Sequence, residues 1–177
     1  MLFAGQTYAQ ITLHAGYQSA TVSFKYIGNE SNITIENPSQ DYSGFYAGAT
    51  YDYDLGLASL SVTPGLEFSY LKYSENGYEL TQNDLRIRLW GRWDKHLNDE
   101  IVLGLFVGPS INIGIGGTMY DKTEIKGFDL GLTFGAQIKY NNFGIEGGYN
   151  WGLLNRSKES DFSIKFHTLF IGANYAF

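Results

Sequence analysis

The sequence predicts an all-β chain: eight antiparallel strands in up-and-down order, closed as a transmembrane β-barrel. Three observations predict it. Apolar residues recur at every second position through most of the 177 residues, which is the period of a strand and not of a helix. The apolar faces defined in this way carry no charge, and one Arg or Lys at mid-bilayer would cost roughly 2–4 kcal/mol. The connections alternate between short turns and longer polar segments, as when turns gather at one end of a barrel and loops at the other.

Each strand has its own warrant. In the first, Ile11 to Tyr26, the apolar set changes phase: Ile11, Leu13, Ala15 and Tyr17, then Ala20, Val22, Phe24 and Tyr26. A β-bulge near Gln18–Ser19 would reconcile the two sets, as would a phase change where the strand leaves the bilayer. The second sets Phe45, Ala47, Ala49, Tyr51 and Tyr53 against Tyr46, Gly48, Thr50, Asp52 and Asp54. The third sets Leu60, Val62, Pro64, Leu66, Phe68 and Tyr70 against Ser61, Thr63, Gly65, Glu67 and Ser69. The fourth sets Leu85, Ile87, Leu89 and Trp93 against Arg86, Arg88, Trp90 and Arg92. The fifth runs from Leu103 to Ile115, and the sixth from Phe128 to Tyr140 with every even position apolar. The seventh sets Phe143, Ile145, Tyr149, Trp151 and Leu153 against Gly144, Glu146, Gly148, Asn150 and Gly152. Pro64 and Pro109 cannot donate to a ladder, so a local bulge is expected at each.

Short connections lie around Gly56, at Asp94 to Glu100, and at Asn141-Asn142, a tight hairpin signal. Longer ones span Ile27 to Ser43, Ser74 to Gln82, Gly116 to Lys126, and Asn155 to Ser163. This asymmetry predicts periplasmic turns and termini, with the loops extracellular. Residues 1–9 read as the remnant of a signal peptide, with Thr7-Tyr8-Ala9 as the cleavage site before Gln10; the basic start and longer apolar run of a complete one are missing. The barrel domain is then 10–177, one domain by length.

Composition bounds the chemistry. A net charge of −6 without any basic run excludes a nucleic-acid surface. The absence of Cys excludes disulfides, thiolate metal sites and Cys nucleophiles. No stretch approaches 18 consecutive apolar residues, so no transmembrane helix is present in the sequence. A barrel strand shows its lipid face at alternate positions, which agrees with the slightly negative mean hydropathy.

The polar faces decide which side is out. They are rich in Gly, Ser, Thr and Asn, whereas a solvated surface should be densely charged. Their charges occur in both signs, Glu67, Asp129 and Glu146 against Arg86, Arg88, Arg92 and Lys139. Inside a narrow barrel these are expected to pair, because isolated buried charge is costly. Aromatics of the apolar face gather near strand ends. Tyr51, Tyr53, Trp93, Tyr140, Phe143, Tyr175 and Phe177 fall toward the turns, and Phe45, Tyr70, Phe128 and Trp151 toward the loops, forming two interfacial girdles. Closure would satisfy every backbone polar group, as hydrocarbon demands.

The last strand, Leu169 to Phe177, has Leu169, Ile171, Ala173, Tyr175 and Phe177 on one face. With the strand count and the turn asymmetry, this pattern resembles the small eight-stranded outer-membrane barrels of the OmpA/OmpX type. It looks closest to the outer membrane protein β-barrel domain family, common among porin-like proteins of Bacteroidota. The resemblance covers about Gln10 to Phe177. It implies a bacterial outer-membrane location, a monomer, contact with outer-membrane lipids and lipopolysaccharide, and recognition of Tyr175 and Phe177 by the barrel assembly machinery. Such features specify architecture and are nearly silent on function.

No catalytic residue, metal site or cofactor is expected. Of the three His, His14 lies near the turn end of the first strand and His96 in a turn. His167 is followed by Thr168 and Leu169, without the His-x-Ser pair of lipid A-modifying barrels. Each His reads as an interface or turn residue. An eight-stranded interior is just wide enough for side chains, and Glu67, Arg86, Arg88, Trp90, Arg92, Phe106 and Glu146 would largely fill it. The first loop is oxygen-rich (Asn29, Glu30, Asn32, Glu36, Asn37, Gln40, Asp41) but has no EF-hand spacing. Tyr120, Asp121, Lys122, Lys126, Arg156 and Lys158 fall on other outer loops, where lipopolysaccharide phosphates or a protein would meet them. The reading is a structural or surface-interaction protein of the outer membrane. A lipid-modifying enzyme, a narrow conduit and a soluble lipocalin-like carrier are the alternatives.

Overall fold

The alternating pattern folds as a closed antiparallel barrel in the order β1-β2-β3-β4-β5-β6-β7-β8. A computed structural model describes residues 10–27, 34–57, 59–75, 77–122, 125–158 and 162–177. The strands are β1 (Gln10–Ile27), β2 (Thr34–Leu57), β3 (Leu60–Glu75), β4 (Tyr78–His96), β5 (Ile101–Gly116), β6 (Phe128–Tyr140), β7 (Phe143–Gly152) and β8 (Phe162–Ala176). One short helix, α1 (Thr118–Lys122), lies between β5 and β6. Residues 1–9, read from the sequence as the remnant of a signal peptide, and Asn29, Glu30 and Asn32 lie outside the described residues.

Closure is made by β1 and β8, paired without interruption from Thr12↔Ala176 to Tyr26↔Phe162. The strands are staggered. A row that starts at the Asn142 carbonyl, which accepts from the Ala176 N–H at 2.9 Å, passes through Thr12, Thr50, Gly65, Arg88, Ser110 and Gly131. It returns to β7 at Gly152, well along the strand from where it began. That offset is the shear that tilts the strands against the barrel axis.

The described outward side chains are predominantly apolar. Leu105, Ile145, Leu169, Ile171, Phe143 and Tyr140 are each more than half exposed. The inward set is polar through most of the barrel's height and includes Arg88, Glu67, Gln18, Thr133 and Asp129, all nearly inaccessible. One end holds Gln10, Phe177 and the connections β2–β3, β4–β5 and β6–β7; it is called the terminus end below. The other, the helix end, holds α1. The β6–β7 hairpin turns at Asn141, whose φ of 51° falls in the left-handed region that Asn tolerates.

Several expectations change. The first strand has no bulge at Gln18–Ser19 and no phase change as far as Val22; the side chains of Phe24 and Tyr26 lie outside the described residues. His14, Gln18, Ala20 and Val22 all face inward on one continuous phase. Ala20 and Val22 mimic a flip because the interior itself becomes apolar toward the helix end. Neither Pro64 nor Pro109 sits in a bulge. Pairing lapses opposite each, between β2 and β3 and between β4 and β5, and resumes in the same register. One missing donor is absorbed without adding a residue. The β1–β2 irregularity falls at the third proline instead, where Pro38 and Ser39 together oppose Ser23. Two connections are shorter than expected. β2 begins at Thr34, so Glu36, Asn37, Gln40 and Asp41 belong to a strand and not to a loop, and β3 and β4 stay paired as far as Glu75↔Tyr78. His96 is the last residue of β4.

Candidate functional site

The barrel's inner wall brings the inward charges into layers. Nearest the terminus end, Arg92 bonds Asp52 through Nη1 at 2.7 Å and Asp94 through Nε at 3.0 Å. Lys139 Nζ lies 3.7 Å from the other Asp52 oxygen, and Thr63 donates to Asp52 at 3.0 Å. Next comes an aromatic layer. Trp90 and Phe106 stack with centroids 4.2 Å apart, and Phe170 meets Phe106 at 6.3 Å and Tyr46 edge-on at 5.7 Å. The Arg88 guanidinium lies over Trp90 at 4.4 Å and within 5.7 Å of Tyr46 and Phe170, a multiple cation–π contact.

Arg88 also bonds Glu67, which takes a second guanidinium from Arg86 at 2.7 Å. Arg86 continues to Asn112 at 2.7 Å. Beside them, Glu146 collects three donors. His14 Nδ1 lies at 3.1 Å, the Tyr46 hydroxyl at 3.0 Å and Asn174 at 3.3 Å. Two buried carboxylates therefore face two buried guanidiniums across the lumen, and Glu146 takes neutral donors as well. This is the arrangement that makes buried charge tolerable.

The helix end is built differently. Ala20, Val22, Tyr42, Leu71, Leu80, Ile164 and Phe166 line it from the strands, and Met119 and Ile125 enter from the β5–β6 connection. The segment is tied down by Tyr120, whose hydroxyl donates to Asp84 and accepts from Arg156 Nη2 at 2.6 Å. Burial and the Asp84 carboxylate push the Tyr120 phenol above its ordinary range, against the pull of Arg156. Arg156 is itself buried, with its guanidinium 4.6 Å over Phe166 and its Nε donating to the Lys126 carbonyl at 3.1 Å. Asp129 lines a small polar cavity with Asp84, Arg86 and Arg156.

The sequence matches the profile of the outer membrane protein beta-barrel domain over residues 3–157. The chain belongs to that family. Membership places it in the bacterial outer membrane and makes the exposed apolar wall a lipid-facing surface. The match stops before β8, so it is independent of the final strand. No curated protein matches the sequence.

Solved structures agree on the fold. The outer membrane protein OprG from Pseudomonas aeruginosa superposes with a TM-score of 0.56 at 10% identity, covering 98% of each chain. The outer membrane enzyme PagL superposes with a TM-score of 0.54 at 10% identity, covering 88% of this chain and 98% of its own. Ail of Yersinia pestis aligns more loosely, with a TM-score of 0.43 at 16% identity over 96% of this chain and 99% of its own.

The structure gathers Glu67, Arg86, Arg88, Arg92, Lys139 and Glu146 into the two ion layers just described, while Asp129 stands apart near the helix end. Tyr51, Tyr53, Trp93, Tyr140, Phe143 and Trp151 project from the outer wall. Tyr175 packs between Phe143 at 4.7 Å and Phe177 at 4.9 Å. Two expectations fail. His14 is no interface residue but a buried partner of Glu146, and Arg156 is no surface cation. Asp52, Tyr46, Asn112 and Asn174 complete the interior network and were not anticipated. Each lies on the polar phase of its strand, which was the available signal. The β7–β8 connection gives no period by which Arg156 could be assigned inward.

Proposed function

We propose that this protein is a monomeric, non-catalytic outer-membrane barrel closed to solutes, acting structurally or through loops at the cell surface. The observation that carries this reading is the layer of Trp90, Phe106, Phe170 and Tyr46 around Arg88, clamped by Glu67. Such a layer across an interior just wide enough for side chains interrupts any continuous water column. The apolar mouth around Met119 and Phe166 supports a second closure. The longer connections 117–127 and 153–161 at the helix end support an extracellular orientation of that end, with the turns in the periplasm. Lipopolysaccharide and the barrel assembly machinery are the partners this reading implies.

The three His support a non-catalytic role. His14 is spent on Glu146, His96 closes β4, and His167 stacks flat on Tyr149 at 6.1 Å with Leu169, not a hydroxyl, as its next outward neighbour. The test is conductance in planar lipid bilayers. Wild type should give no steady current, and the double variant Trp90→Ala/Phe106→Ala should give discrete openings. Stable openings of the wild type would sink the reading in favour of a conduit. Whole cells treated with protease should be cleaved within 117–127 or 153–161 if the helix end faces outward.

A further inference from the structure

The lipid-facing wall is indented where three strands meet. Where β7, β8 and β1 meet, Tyr17, Ser19, Leu169 and Ile171 stand around Gly147 and enclose an apolar groove of about 340 Å³, within the range of small-molecule sites. Its floor is the backbone of Gly147 and Gly148 with Phe170 behind. Packing requires only one of these glycines. A Cβ on Gly148 would lie 2.6 Å from the Phe134 carbonyl and 2.7 Å from the Phe170 ring. A Cβ on Gly147 would meet just the Phe170 carbonyl, at 3.5 Å, an ordinary contact. The fold does not need glycine at 147, and its effect is to leave the groove open.

Toward the helix end the same wall changes character. Along β8, the outward Leu169 is followed by His167 and then by the exposed Lys165. His167 is fixed by its stack on Tyr149 and lies opposite Trp151 and Thr21. At about 3.3 Å per residue, Lys165 stands roughly 13 Å along the strand from Leu169. On the far side of Thr21, Asp41 accepts the Thr21 hydroxyl at 2.9 Å. An apolar slot with a cation one headgroup's length above it has the shape and charge of a single phosphorylated lipid.

We propose that this wall holds one phosphorylated glycolipid of the lipid A class, with an acyl chain over Gly147 and a phosphate on Lys165 beside His167. The proposal rests on the orientation given above, in which the helix end meets the outer leaflet. The barrel, purified in mild detergent, would be incubated with lipid A or with phosphatidylglycerol and examined by native mass spectrometry. Wild type should retain one lipid A in preference to phosphatidylglycerol. Gly147→Leu, which fills the groove, and Lys165→Gln, an exposed change that spares packing, should each lower retention about tenfold, roughly the loss of one good contact. The heat-shifted gel mobility of both variants would show that they fold. Preference for phosphatidylglycerol, lost in both variants, would overturn the glycolipid assignment and point to the reversed orientation. Equal retention by all three proteins would overturn the groove itself, whichever way the barrel faces. A wild-type dimer abolished by Gly147→Leu would overturn it too, by assigning the groove to a second copy of the chain.

Discussion

Glu67 is almost wholly removed from water and receives both Arg86 and Arg88. Exchanging Glu67→Gln keeps the shape and removes the charge, leaving two guanidiniums in a lumen that cannot hydrate them. Breaking a buried pair from one side typically costs about 3–5 kcal/mol. Unfolding in urea, followed in detergent micelles, should show a loss of that size. Glu79, which meets Lys72 at 2.6 Å on an exposed stretch of wall, is the control. Glu79→Gln should leave the transition where it was, since such pairs are solvated and weak. A loss for Glu67→Gln no larger than for Glu79→Gln would mean the interior is wetter than its packing implies.

At the scale of elements, α1 is held by Thr118, which exchanges hydrogen bonds with Thr81 at 3.0 and 3.2 Å, and by the Tyr120 hydroxyl, which joins Asp84 to Arg156. Tyr120→Phe removes the bond donated to Asp84 and the one accepted from Arg156, leaving a buried carboxylate short of a donor. The expected cost is about 1–3 kcal/mol, read as faster proteolysis within 117–127. The pH dependence has a definite sign. The phenol is raised in the folded chain, so its contribution is complete below the ordinary tyrosine value of about 10. It is lost as pH climbs toward the folded value, because the unfolded chain ionises first. Wild type should therefore loosen in that alkaline range more than Tyr120→Phe does. In β7 the two adjacent glycines make a second contrast. Gly148→Ala should destabilise by clashing with the Phe134 carbonyl, whereas Gly147→Ala should be neutral or stabilise by up to about 1 kcal/mol through lower chain entropy. Comparison of the two melting curves decides it. Strand phase was legible in residues such as Leu105 and Arg88 because lumen and lipid impose opposite polarity on alternate positions. Strand length was not legible at the helix end. There the lumen turns apolar, so Ala20 and Val22 look like a phase flip and the extension of β2 to Thr34 carries no clean period. The partners inside the lumen, His14 with Glu146 or Arg88 over Trp90, depend on stagger between strands, which no single strand's sequence records.

For the molecule as a whole, exposure alone does not say which part of the wall meets hydrocarbon. Val107 and Leu57 are both more than half exposed. Val107 lies near the middle of β5, however, while Leu57 ends β2 beside a turn. Closure leaves no unpaired edge strand, so the barrel can sit at one depth in the bilayer. Cost should then depend on height along the wall. An Arg introduced at the midplane loses roughly 2–4 kcal/mol, and one near the interface about 0–1 kcal/mol. Unfolding of Val107→Arg and Leu57→Arg in phospholipid vesicles should reproduce that gradient, and detergent micelles, which deform around a charge, should flatten it. Equal costs in vesicles would mean that the apolar band is displaced from the centre of β5. The girdle of Tyr140, Phe143 and Trp93 would then not mark an interface.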